Sequence, residues 1–373
     1  MPSLIGNKPN QVPTNADLGT MAFREQSQFY QKTEADALLA NKQDASTTLT
    51  TYASTGVGFR NRIINGNMAI DQRNAGASVT PSSASYLVDR WVFNFTQASK
   101  FSFQQNAGSV TPPAGFTNYL GATVVSAVSI GAGDVFVLRQ RIEGFNVADL
   151  SWGTANAQAV TLSFWVRSSL TGTFGGSFQN NAENRAYPFT YTISAANTWE
   201  QKTITVAGDT TGTWLTNNST GIMLGFSLGT GATSSGTAGS WAGSNLITAT
   251  GATSVVSTNG ATFYITGVQL EAGSVASPFE RRDYGRELAM CQRYYETIDV
   301  LFPTVSWASI ANCAYWKVMK RATPTLTSVP ATGTGGTFTT FSGPNFGSQL
   351  NQIFQNGSNS GNSGGYVIGS AEL

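Results

Sequence analysis

The chain has 373 residues, of which only 11% are Asp, Glu, Lys or Arg, and its net charge is +1; it therefore lacks the basic footprint of a nucleic-acid or anionic-membrane binder. It contains no histidine, which removes Ser-His-Asp and Cys-His catalysis and the usual zinc sites. Its 40 glycines, crowded by Thr, Ser and Asn, describe many short strands joined by tight turns, a mainly β protein of more than one domain.

Residues 1–28 are polar and proline-punctuated, with too few apolar side chains to fold alone, so they are expected to form an arm that orders on a partner. In 29–57 a short helix is expected, with Thr33 as its cap and Asp36 answering three residues later. Ala35, Leu38, Lys42, Ala45, Leu49 and Tyr52 then follow in steps of three and four, the spacing of a coiled-coil seam too short to hold an oligomer alone. No run is apolar for long enough to make a membrane helix, and no export signal opens the chain, so neither membrane insertion nor standard export is expected.

From 58 to 283 the text alternates in the manner of a β-sandwich. Strands are expected at 61–70, 90–95, 101–105, 122–130, 135–142, 159–167, 172–179, 185–193, 200–206, 221–228 and 261–270, with a Gly/Ser/Thr-rich loop at 229–251. Trp91 and Trp165 read as core. Trp152, Trp199, Trp214 and Trp241 are the other large rings of this domain, and Trp199, Trp214 and Trp241 stand in turn-like text where exposure is more natural.

A connecting helix is expected at 284–298, because Tyr284, Leu288, Cys291 and Tyr295 fall at i, i+4, i+7 and i+11. Cys291 then sits on the apolar stripe as a buried free thiol, and no disulfide with Cys313 is expected. Beyond it, 299–373 reads as a small β-rich tip with strands near 300–310, 313–319 and 325–329. No charged residue occurs from Ala322 to Ala371. Phe338, Phe341, Phe346, Phe354 and Tyr366 need a compact tip or neighbouring subunits to bury their rings.

The wording from Gln269 to Glu296 resembles a linker that recurs in phage tail fibre and related adhesion proteins, where a sugar-binding-like sandwich hands over to a helix and a distal tip. Lys8 to Phe23 resembles the amino-terminal segments of such fibres, and Phe29 to Asp44 a phrase that lies on their threefold axis. The order of Asn61–Ile70, Asp89–Trp91, Thr161–Val166 and Phe263–Leu270 resembles jelly-roll carbohydrate-binding-like modules. The resemblance implies a virion protein assembled in the host cytoplasm, a homotrimer, attached to tail or baseplate proteins through 1–28 and binding a host-surface glycan. It implies no cofactor; Gly267 stands where related modules often carry a calcium-binding aspartate, and no metal is expected.

Candidate contacts to a glycan are Asn345, Phe346, Gln349, Asn351, Phe354 and Asn356 in the uncharged tip, then Trp214 and Trp241 in the sandwich. Asp134, Glu143, Asp149, Glu183, Glu200, Asp209 and Glu271 are scattered singly, and no spacing pairs two of them as glycoside hydrolysis requires. A non-enzymatic adhesion role is therefore expected. The alternatives are a tailspike depolymerase, or an inert structural or adaptor component of the tail.

Overall fold

Strict alternation in the central strands decides which side chains enter the sandwich. The computed structural model describes residues 59–302, 310–330, 337–341, 350–356 and 363–373. The expected arm and axial helix, and with them Asn345, Phe346 and Gln349, lie outside the described residues.

The sandwich is built from β1 (Ser85–Tyr86), β2 (Val92–Phe95), β3 (Phe101–Gln105), β4 (Leu120–Val124), β5 (Val135–Glu143), β6 (Val160–Ser168), β7 (Gly172–Gln179), β8 (Ala186–Ile193), β9 (Glu200–Val206), β10 (Thr220–Thr230), β11 (Ser235–Gly236), β12 (Thr248–Ala249) and β13 (Thr262–Ala272). One sheet has six strands in the order β1-β2-β5-β10-β7-β8, the other five in the order β3-β4-β13-β6-β9. All pairings in both are antiparallel. Neighbours distant in sequence, such as β5 beside β10 and β13 between β4 and β6, make the connections cross between the sheets, giving a jelly-roll sandwich. Phe164 of the five-stranded sheet meets Phe226 and Tyr191 of the other edge-on, each at 5.0 Å, so rings from both sheets interdigitate in one core. Trp91 is fully buried in that core, as its sequence context predicts.

The expected first strand, 61–70, is not a strand. Asn65 and Met68 adopt left-handed φ angles of 58° and 56°, and a Cβ on Gly66 would lie 2.1 Å from the Val268 carbonyl oxygen. Asparagine side chains replace the ladder here: Asn61 Oδ1 accepts from the Ile63 and Leu270 amides. The Asn65 amide group likewise bonds the Ile70 N–H and the carbonyls of Ile70 and Asp89. The loop at 229–251 holds the short parallel β11–β12 pair, although it reads as irregular.

After the sandwich, Asp283 caps helix α1 (Tyr284–Gln292) by accepting from the Arg286 amide at 2.9 Å. The helix is shorter than the predicted 284–298. Tyr295 opens the aromatic and β-branched strand β14 (Tyr295–Phe302), whose pairing replaces a further helical turn. The buried stripe also differs: Cys291 and Glu287 face inward and Tyr294 follows, while Tyr284 is 64% exposed. Burial pushes the Cys291 thiol well above its usual pKa, as befits a packing residue. The remaining strands are β15 (Ile310–Tyr315), β16 (Thr325–Pro330), β17 (Thr337–Phe341), β18 (Leu350–Asn356) and β19 (Ser363–Ser370). They form two three-stranded antiparallel sheets, β14-β19-β16 and β15-β18-β17. No helix among the described residues is long and apolar enough to cross a membrane.

The end of β19 returns to the sandwich. Glu372 pairs with Arg73 at 2.6 Å and with Arg90, and the Leu373 carbonyl accepts from Arg141 and from the Tyr86 hydroxyl. Beside this junction Asp89 is fully buried and accepts from the Gln72 amide and side chain at 2.6 and 2.9 Å. Burial pushes its carboxyl from 3.8 up to about 6. An acid with a raised folded pKa binds more protons folded than unfolded between the two values, so its contribution is fully present below the unfolded pKa and is lost as pH rises through the folded one. Asp89→Asn is therefore expected to gain stability relative to the parent chain as pH climbs from about 4 to about 7. Urea midpoints of the two proteins at those pH values check it, and a constant difference would exclude the effect.

Candidate functional site

Trp214 and Trp241 are half-buried, and with Trp152 they form a three-ring cluster at centroid distances of 4.8, 5.2 and 5.4 Å, all edge-to-face. Their indole N–H groups donate to Asp209 and the Thr211 carbonyl, to the Ala207 carbonyl and, for Trp152, to the Gln158 carbonyl. Arg185 grips Asp209 beneath them at 2.8 and 2.6 Å. Against the effect of burial, these bonds hold the Asp209 carboxyl below its ordinary value. The rings thus serve one another. In the C-terminal sheets, Asn351 pairs with Ala314, Phe354 with Ala311 and Thr339, and Asn356 with Thr337 in the backbone register of β18; they belong to one strand, apart from the tryptophan cluster in sequence and sheet.

The outer face of the six-stranded sheet is polar and closed on itself. Arg139 bonds Glu183 at 3.1 Å and Gln179 at 3.0 Å, Gln179 bonds Asn245 at 2.7 Å, and Asn245 returns to Glu183 at 3.0 Å. This ring of four side chains is bonded within itself, and Arg139 and Gln179 are buried.

The outer face of the five-stranded sheet is different. On β6 the apolar residues Leu162, Phe164 and Val166 point into the core with zero exposure, which turns Thr161, Ser163, Trp165 and Arg167 outward. Trp165, read from sequence as core, is half-buried on this outer side. Its cross-strand neighbours are Gln201 on β9 and Thr266 on β13, and Gln201 and Thr203 are exposed beside it. Among the sandwich tryptophans Trp165 alone makes no indole hydrogen bond within the described residues, for Trp91, Trp152, Trp199, Trp214 and Trp241 all donate.

Gly267 lets a second ring close against it. Its φ is +60°, and a Cβ there would meet the Phe116 ring at 2.6 Å and Trp165 Cδ1 at 3.1 Å, so only glycine lets these two rings converge. Phe116 packs edge-on against Phe279 at 5.1 Å. The exposed Arg281 lies over both, its guanidinium 5.1 Å and 6.0 Å from their centroids. Two residues along β6, Arg167 covers Tyr264 at 5.4 Å and donates to the Asn197 carbonyl. Tyr264 and Trp199 flank Tyr119 at 5.3 and 5.5 Å. Burial raises the Tyr119 pKa, and its hydroxyl donates to Ala107 and accepts from the Val110 amide, locking the group. The face therefore offers a half-open indole with the Phe116 ring beside it, exposed amide and hydroxyl side chains, and two guanidinium groups.

No protein-family model and no curated protein matches the chain. Among solved structures it is similar to the enzymatically active domain of tailspike protein 4 of bacteriophage CBA120, at 13% identity and a TM-score of 0.32, over 57% of this chain and 21% of that one. It is also similar to a family 61 carbohydrate-binding module solved with β-1,4-galactotriose, at 10% identity and a TM-score of 0.30, over 57% and 99% of the two chains. A third is the family 11 carbohydrate-binding module of a cellulosomal cellulase of Clostridium thermocellum, at 10% and 0.27, over 55% and 99%. The chain thus spans about a fifth of the tailspike's length, and at such identities none of the three assigns it a ligand.

Proposed function

We propose that the protein is a non-enzymatic phage tail fibre component that attaches to a host-surface glycan through the outer face of its five-stranded sheet. The observation that carries this reading is Trp165, a half-buried indole with an unused N–H, set between exposed Gln201 and Thr203 on one side and the Phe116 ring over Gly267 on the other. Sugars are held by flat aromatic contact with the pyranose and by a few amides and hydroxyls around it, and this is that assortment.

The carboxylates support binding without hydrolysis, since each has its own structural partners. Glu143 holds Arg293 and Tyr294, Glu271 holds Gln269 and Ser277, Glu200 holds Lys202, Asp134 holds Gln97 and Asp149 holds Arg62. The tail fibre assignment, its place in the virion and its trimeric state rest on the wording of 1–57 and 269–296; light scattering on the full chain checks the trimer.

A glycan array probed with the full chain tests the reading. Trp165→Ala is expected to weaken array binding by at least about tenfold, the loss of one well-placed aromatic anchor, with an unchanged melting curve. The comparison arm carries Asn351→Ala, Phe354→Ala and Asn356→Ala together. Binding lost in that arm and kept in Trp165→Ala would move the site to β18, and absence of any glycan binding by the folded parent chain would remove the function.

A further inference from the structure

We infer that the glycan taken by this face is acidic, with its carboxylate or sulfate groups met by Arg167 at one end of the row through Trp165 and by Arg281 at the other. The inference rests on the reading above and adds the ligand's charge.

Each guanidinium lies over aromatic rings, Arg167 at 5.4 Å from the Tyr264 centroid and Arg281 at 5.1 and 6.0 Å from those of Phe116 and Phe279, and neither has a carboxylate partner among the described residues. A guanidinium attracted to a ring face keeps N–H groups with which to meet an anion. Arg167 keeps only one bond to protein, from Nε to Asn197, so its terminal nitrogens remain available. A row along β6 places Arg167 two residues from Trp165 on the same side of the sheet, roughly 7 Å away. From Trp165 the line continues over Gly267 to Phe116 and Arg281.

The acidic side chains nearest this face do not oppose the charge. Glu271, on the same side of β13, is buried under hydrogen bonds from Gln269 and Ser277 and lies 3.6 Å from Arg60. Glu200 is paired with Lys202 at 2.6 Å and stands opposite the core residue Val166, hence on the inner side of β9. Glu280 is engaged by Arg282 and by the Arg60 and Asn61 amides. Two cations with their local carboxylates already neutralised would lose hydration without return under a neutral sugar, whereas an acidic sugar supplies charge-assisted bonds.

The uncharged tip would give binding almost indifferent to salt, whereas this face gives binding that weakens as salt rises. The test uses the full chain on an array of neutral and acidic polysaccharides. Every glycan that binds is measured again after carboxyl reduction or after desulfation, which separates the two anion sources. The expected result is that binders are acidic, that removing the anion weakens them by about tenfold or more, and that Arg281→Gln and Arg167→Gln each shrink this difference. Trp165→Ala should abolish binding of both forms. Binding that ignores anion removal yet is lost in Trp165→Ala overturns the acidic preference and leaves the site in place. An acidic preference untouched by both arginine substitutions also overturns it, and binding untouched by Trp165→Ala overturns the site itself.

Discussion

Arg90→Met is expected to cost about 3–5 kcal/mol of folding stability, because in a buried junction it leaves the Glu372 carboxylate with Arg73 as its one remaining guanidinium and leaves the Arg141 carbonyl without its donor. Arg90 is 1% exposed. One of its terminal nitrogens meets Glu372, the other donates to the Arg141 carbonyl at 2.6 Å, and its plane lies 3.5 Å from the Tyr294 ring centroid. Burial alone would lower the guanidinium pKa, yet it is raised, so the attraction of Glu372 and the surrounding groups outweighs desolvation. Arg90 also serves the Arg141 carbonyl and the Tyr294 ring, and Glu372 also serves Arg73. Arg90→Met with Glu372→Gln should therefore recover only part of the loss. Arg90 also holds a left-handed φ of 71°, but methionine keeps the Cβ, so the backbone strain is common to both proteins and cancels in the comparison. Urea denaturation reads the stability, and amide exchange along β19 reads whether the strand has left the sandwich. Unchanged β19 protection together with a loss under about 1 kcal/mol would show the junction to be incidental.

Much of the sandwich was legible because its strands obey one rule. Phe101–Gln105, Gly172–Gln179 and Glu200–Val206 fall where alternation and turn chemistry put them, and the other long strands differ at their ends. The segment 61–70 misled for a physical reason: its apolar spacing suits a strand, while asparagine side chains satisfy its backbone instead. The helix stripe was displaced because periodicity could not announce that Tyr295 would be claimed by β19.

The candidate site was less legible, although one signal was present. Trp165 shares parity with Thr161, Ser163 and Arg167 and opposes Leu162, Phe164 and Val166, so strict period-two counting places it outside. The apolar run Leu162–Val166 around it argues the other way, for a strand buried on at least one face. Trp214 and Trp241 stand in turn-like text that suggests exposure, but turns brought them together over Asp209. Arg281 could not be read at all from spacing, because its stacking on Phe116 joins residues far apart in the chain.

Lys320→Met is the second large loss expected, again about 3–5 kcal/mol, and its double substitution should behave in the opposite way. Lys320 and Glu296 are both fully buried as side chains and meet at 2.5 Å. The ammonium also donates to the Gln292 carbonyl at the end of α1 and lies 4.6 Å from the Trp316 ring centroid, a cation placed where the helix dipole favours one. Here burial wins: desolvation holds the lysine pKa below 10.5 in spite of the Glu296 bond. Removing the lysine leaves the Glu296 carboxylate, whose other oxygen accepts from the Lys317 amide at 3.1 Å, without its counter-charge. Removing both charges removes the desolvation cost as well, so Lys320→Met with Glu296→Gln should lie within about 1 kcal/mol of the parent chain. The two double-substitution cycles are best read side by side in urea. Near-complete recovery at Lys320 and Glu296, with partial recovery at Arg90 and Glu372, is what opposite balances of burial and attraction require; equal recovery in both would mean that the charges contribute to the junction only through packing.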